Sequence, residues 1–164
     1  LFVALWPDDG TRARLAGVAS EWSRRPIAAA NMHMTLHFLG ACTAEQMECY
    51  SKVLSRIDFK AFEINMDYIG TWRRARIQWL GSSEPPAALI DLVDRLEQVL
   101  ASCGYQTEKR PFVPHVTLAR NVKNPLVKVG LPPIRWVVRE YVLAESITDE
   151  RGARYLVRAR WACD

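Results

Sequence analysis

The sequence predicts a fold of mixed helices and strands, arranged as two related lobes around one central cleft. Three observations point to it. The tetrapeptide H-x-T-L occurs twice, as HMTL at 33–36 and HVTL at 115–118, and its histidines lie 82 residues apart in a chain of 164. Each copy follows a short apolar run and then a stretch of helical apolar spacing: Phe2–Trp6 with the Leu15 stripe, and Ile77–Leu80 with the Leu89 stripe. A period this long, seen only twice, is not that of a solenoid array. It predicts a single unit over residues 1–164 with one motif per lobe.

The elements follow in order. Phe2–Trp6 reads as a buried strand. Asp8, Asp9 and Thr11 supply helix-start chemistry, and Leu15, Val18, Ala19 and Trp22 form one helical face that Arg24, Arg25 and Pro26 interrupt. In MHMTLHFLG, Met34, Leu36 and Phe38 alternate with His33, Thr35 and His37, the pattern of a half-buried strand. Thr43 and Gln46 form a capping box for a second helix with the stripe Met47, Tyr50, Leu54 and Ile57. Phe62 to Tyr68 alternate clearly as a strand, and Gly70 to Arg74 turn the chain towards another around Ile77–Leu80. Pro85 and Pro86 suit the first turn of a third helix, with the stripe Leu89, Leu92, Val93, Leu96, Val99 and Leu100 and a terminating Gly104. FVPHVTLAR is again a strand. Trp136–Ile147 and Tyr155–Trp161, joined by Asp149–Gly152, read as a closing hairpin.

Composition narrows the class. Apolar residues make up 49% and charged residues 24%, with six tryptophans, which fits a packed domain and argues against a disordered chain. The net charge of +4 favours an anionic partner such as RNA. No apolar run approaches the roughly 20 residues that span a bilayer, and no signal peptide is visible in LFVALWPDDG. The expectation is a cytoplasmic monomer with no membrane association. Cys42, Cys49, Cys103 and Cys163 show no zinc-site spacing, and are expected to be reduced thiols.

A lone histidine in a strand is ordinarily a surface or hydrogen-bonded residue, and threonine favours sheets in any case. The recurrence is what singles these residues out. Within each motif His and Thr are two apart, so both side chains share one face. His33 and His115 can therefore supply an acid and a base at neutral pH, and Thr35 and Thr117 can donate hydrogen bonds to phosphate oxygens. Such a scheme requires neither metal nor cofactor, and the chain has three histidines in all and no H-E-x-x-H. His37 falls on the His33 face by alternation, where a structural or solvated role is the default. Arg120 lies five residues after His115, so strict alternation turns it away from the cleft unless a bulge or strand end intervenes. Arg73, Arg74 and Arg76 cluster at an expected hairpin turn. Arg154, Arg158 and Arg160 share an exposed strand face with Leu156. Trp72, beside the turn arginines, is the tryptophan best placed to stack on a base.

The pair HMTLHFLG and PHVTLAR, with the opening FVALWP, resembles the 2H phosphoesterases, specifically the bacterial and archaeal RNA 2',3'-cyclic phosphodiesterases once called 2'-5' RNA ligases. The resemblance spans nearly the whole chain. It implies an α+β fold, bilobal, with antiparallel sheets lining the cleft and helices outside. It implies hydrolysis of RNA 2',3'-cyclic phosphate ends to 2'-phosphomonoesters, with His33 as proton donor, His115 as proton acceptor, and Thr35, Thr117 and Arg120 on the phosphate. Other reactions of the same kind stay open: 2'-5' RNA ligation, opening of a small cyclic nucleotide, or RNA-end binding without turnover. Where the family commonly has a polar stretch with Pro and Glu before the first motif, this chain has Ala28-Ala29-Ala30-Asn31.

Overall fold

The computed structural model describes residues 1–107, 110–123, 129–150 and 152–163. The order is β1 (Phe2–Leu5), α1 (Asp9–Trp22), a 3₁₀ turn (Ala29–Asn31), β2 (Met34–Phe38), α2 (Ala44–Leu54), β3 (Phe62–Trp72), β4 (Ile77–Gly81), α3 (Ala87–Ala101), β5 (His115–Ala119), β6 (Val129–Val138), β7 (Glu140–Asp149) and β8 (Gly152–Ala162). Two four-stranded sheets result, ordered β2-β1-β7-β8 and β5-β4-β3-β6, with every pairing antiparallel. The orders superpose motif on motif: β2 and β5 are the outer strands carrying H-x-T-L, and β1 and β4 lie beside them. The strand–helix–strand repeat is thus realised once in each sheet.

Local chemistry sets the helix ends. The Asp8 side chain accepts from the Thr11 backbone N–H at the start of α1. Thr43 and Gln46 form the reciprocal capping box of α2, satisfying two backbone donors that a helix start leaves unpaired. Pro86 occupies the N-cap position of α3 without a side-chain hydrogen bond, and the helix stripe buries Leu89, Leu92, Val93, Leu96 and Leu100, each worth roughly 1.5–3 kcal/mol if fully transferred from water. Gly104 follows α3 at φ +83°, a conformation that glycine adopts without steric cost. The α2 helix is shorter than its predicted stripe: it ends at Leu54, and Met47 is 36% exposed.

One continuous core holds the sheets together, joining Val3, Leu5 and Met34 of the first to Ile64, Ile69 and Val116 of the second. The continuity explains a difference at the C-terminal end. Trp136–Ile147 reads as a single strand but is two: β6 pairs with β3 at the edge of one sheet, whereas β7 pairs with β1 inside the other. Only Arg139 separates them. Both bury apolar residues in the same core, so the apolar pattern does not break where the chain changes sheets. Pro132 and Pro133 sit in the edge strand β6 opposite a register shift between Met66 and Tyr68, where a missing N–H costs no ladder bond. Arg151, in the predicted β7–β8 turn, lies outside the described residues.

The cysteines correct a second expectation. Cys49 in α2 and Cys103 just beyond α3 form a disulfide, while Cys42 and Cys163 are free. Packing of α2 on α3 brings the two Cα atoms to 5.9 Å, within the range a disulfide spans. No sequence spacing announces a pair 54 residues apart.

Candidate active site

His33 immediately precedes β2 and His115 opens β5, and both line one cleft together with Thr35, Thr117 and Arg120. The two imidazoles are held alike. His33 Nδ1 lies 2.6 Å from the Asn31 carbonyl oxygen, and His115 Nδ1 lies 2.7 Å from that of Val113. A carbonyl can only accept, so each Nδ1 carries hydrogen and each neutral ring presents Nε2 as the basic atom. His33 Nε2 is 3.0 Å from Thr35 Oγ1, with the hydroxyl donating.

The surroundings differ. His33 stacks on Phe2 at 4.8 Å and on Trp6 at 5.7 Å, and meets the edge of Tyr155 at 4.9 Å. Burial in this aromatic enclosure pushes its pKa down to about 4; the Asn31 carbonyl opposes that effect, and the charges of His115, Arg120 and Arg12 add to it. His115 packs against Trp72 at 4.5 Å and Trp79 at 6.1 Å. Burial lowers its pKa too, opposed by the Val113 carbonyl and reinforced by Arg120.

A bulge decides which residues after each Thr face the cleft. On β2, His37 pairs with Val3 and Thr35 with Ala4, so Leu36 is the extra residue. On β5, Ala119 pairs with Gln78 and Thr117 with Trp79, so Leu118 is extra. The bulges occupy equivalent positions of the two H-x-T-L motifs. Each adds one residue and reverses the alternation beyond it. Arg120 is thereby brought to the cleft wall, as the bulge condition required. On β2 the same device displaces Phe38, while His37 takes the structural role expected of it by default. His37 is 5% exposed, with Nε2 2.9 Å from the Val93 carbonyl oxygen and Nδ1 3.2 Å from the Tyr105 hydroxyl. Phe38, expected in the core, is 58% exposed and lines the cleft.

Several residues that support the site carried no sequence signal. Arg12 donates to the carbonyls of Ala29, Met32 and Pro7, and Asn31 Nδ2 donates to Ala153. Together they fix the Ala28–Asn31 segment whose last carbonyl orients His33. Trp79 pairs across the ladder with Thr117 and forms the floor under His115. Its indole lies so close to Gly70 and Gly81 that a Cβ on either would come within 2.5 Å of the ring. Trp72, which the sequence does single out, lines the cleft beside it. Arg158 and Arg160 are ion-paired with Glu145 and Glu140. Among the described residues, no three His, Cys, Asp or Glu side chains gather as a metal-ligand set, and no helix is long and apolar enough to cross a membrane.

This geometry has known counterparts. A protein of Escherichia coli named RNA 2',3'-cyclic phosphodiesterase is 38% identical over 140 residues, covering 84% of this chain and 79% of its own length. A protein of Archaeoglobus fulgidus with the same name is 28% identical over 148 residues, covering 86% and 80%. The crystal structure of E. coli LigT complexed with 3'-AMP aligns with a TM-score of 0.87 at 32% identity, covering 99% of this chain and 96% of that one. Residues 4–150 match the profile of the 2'-5' RNA ligase superfamily, and to that superfamily the chain belongs.

Proposed function

We propose that this protein hydrolyses 2',3'-cyclic phosphate ends of RNA to 2'-phosphomonoesters, with His33 as acid and His115 as base. The observation that carries the reading is the matched pair of imidazoles, each anchored at Nδ1 by the carbonyl two residues earlier, in one cleft with two threonines and an arginine. Relatives named for this activity support the same substrate class.

The chemistry follows from the atoms. His115 Nε2 takes a proton from water as the water oxygen attacks phosphorus. The P–O3' bond breaks, its electron pair goes to O3', and His33 Nε2 supplies the proton that O3' needs. The Thr35 and Thr117 hydroxyls and the Arg120 guanidinium donate to the non-bridging oxygens, whose charge grows in the transition state. The histidines exchange protonation states and reset through solvent. In the free protein His33 is neutral at pH 7, because its pKa is held near 4. An anionic phosphate entering the cleft offsets that depression, since an adjacent negative charge favours imidazolium. The Thr35 hydroxyl, released from Nε2, is then available to the phosphate. Both motifs come from one chain, so a monomer suffices.

The test is turnover of an RNA oligonucleotide ending in a 2',3'-cyclic phosphate, with EDTA present, by wild type, His33→Ala and His115→Ala. Chelator-resistant formation of a 2'-phosphate, lost in both variants, is expected. A 3'-phosphate product exchanges the two histidine roles. A folded wild type that opens no cyclic end overturns the reading in favour of ligation, a small cyclic nucleotide or RNA-end binding.

A further inference from the structure

The cleft is larger than one nucleotide requires. Its volume is about 2100 Å³, against roughly 300–1,000 Å³ for small-molecule sites. It is also polarised. Asp94 and Glu97 of α3 line one end and Arg74 and Arg120 the other, with Arg110 and the ion-paired Glu145 and Arg158 also in the lining. These ends are opposite: β2 finishes at α3 through the His37–Val93 hydrogen bond, whereas the far end of β5 bridges to Pro26, ahead of His33.

The β3–β4 turn at the basic end exposes Arg73, Arg74 and Arg76, and none of them forms an ion pair among the described residues. The matching register positions of the other sheet hold Glu145 and Ser146, and Glu145 is neutralised by Arg158. The turn is closed by Arg76 N–H donating to the Arg73 carbonyl. It is tied to the loop leaving Arg120 by Val122 N–H donating to the Arg76 carbonyl. Arg76 stands at φ +55°, where glycine would be the unstrained choice, so this side chain is carried at a conformational cost.

We propose that this turn binds the backbone phosphates of the RNA chain whose cyclic end lies between His33 and His115, a site that rests on the functional reading above. A cluster of exposed guanidinium groups on a hydrogen-bonded turn, without ion pairs among the described residues, suits the backbone of a single-stranded polyanion at the mouth of a groove. The path over the arginine turn leads the chain away from the Asp94 and Glu97 carboxylates.

The experiment uses wild type and the triple variant R73Q/R74Q/R76G, in which glycine keeps the positive φ. Anisotropy reports binding of a labelled single-stranded RNA of about ten nucleotides with a 3'-phosphate, across a salt series. Turnover compares the same RNA bearing a cyclic end with a nucleoside 2',3'-cyclic phosphate. The variant is expected to bind the RNA about tenfold more weakly at low salt, with a log–log salt slope shallower by about 2 for three lost contacts. Its kcat/KM falls in parallel on the oligonucleotide and stays within about twofold on the nucleoside. Unchanged affinity and slope, or equal losses on both substrates, overturn the proposal. RNA binding that is lost in the variant while wild type opens no cyclic phosphate upholds the turn site and sinks the functional reading alone.

Discussion

The two halves of the cleft share a backbone and differ in what surrounds it. Strand order, the His–Thr spacing, the Nδ1 anchor and the bulge after Thr recur in both sheets. Around His33 the neighbours are Phe2, Trp6 and Tyr155, and the position reached through the bulge is Phe38. Around His115 they are Trp72 and Trp79, and the corresponding position is Arg120. A repeat can therefore supply two identical proton-transfer groups, while enclosure and charge make them unequal. One half is an aromatic box that discourages imidazolium; the other places a guanidinium in the cleft.

If the halves are equivalent as chemistry, removing either imidazole has the largest effect of any change. His33→Ala and His115→Ala are each expected to lower kcat by about 10²–10⁴-fold with little change in KM. Steady-state kinetics on a cyclic-ended oligonucleotide reads both. A variant that keeps wild-type kcat breaks the equivalence and reduces the repeat to a scaffold.

The next effect lies between the halves. The disulfide closes a 54-residue separation and joins α2, which follows the first motif, to the end of α3, which leads into the second. In the chain-entropy model such a closure contributes about 4 kcal/mol. Urea unfolding of wild type with and without reductant, beside Cys49→Ser/Cys103→Ser, measures it. Equal midpoints in all three samples show that the thiols are reduced in the native protein.

How legible the site was in the sequence depends on what a residue's role rests on. His33, His115, Thr35 and Thr117, which line one cleft, are singled out by the sequence because recurrence is visible in letters. His37 takes the structural role that is its default, whereas Phe38 departs from the core position its alternation predicts, because a bulge has no letter of its own. Its position at Leu36 and Leu118 is set by pairing with β1 and β4, a tertiary fact. Arg120 was flagged together with the bulge it needs. Arg12 and the Asn31 carbonyl act through backbone positions that any residue type could occupy, and the Cys49–Cys103 pair depends on how two helices pack. The fold's two-lobed plan was legible for the reason the histidines were; the change of sheet at Arg139 was hidden because both strands enter one core.

The enclosure of His33 also makes a stability prediction. Its folded pKa, near 4, is below its unfolded value of 6.5. The unfolded chain therefore binds more protons between these values, and stability is lost as pH falls from 6.5 towards 4. From pH 7 to pH 5 the loss attributable to this one group is about 2 kcal/mol. His33→Gln is expected to remove that portion of the pH dependence in urea melts, while His115→Gln removes less. Identical pH dependence in wild type and His33→Gln contradicts the aromatic box as the cause of the inequality.

A further comparison separates the two positions that the bulges bring to the cleft. Arg120 offers a charge-assisted donor to a phosphate, worth about 1.5–3 kcal/mol for such a hydrogen bond, whereas Phe38 offers none. Inorganic phosphate, titrated by calorimetry, isolates this difference from base and chain contacts. Arg120→Ala should weaken phosphate binding by at least about tenfold, and Phe38→Ala should leave it unchanged. Equal affinities in wild type and Arg120→Ala would mean that the guanidinium lines the cleft without touching the anion. The lowered pKa values of both histidines, to which Arg120 contributes, would then be its remaining influence: a cation that holds the free imidazoles neutral until substrate charge arrives.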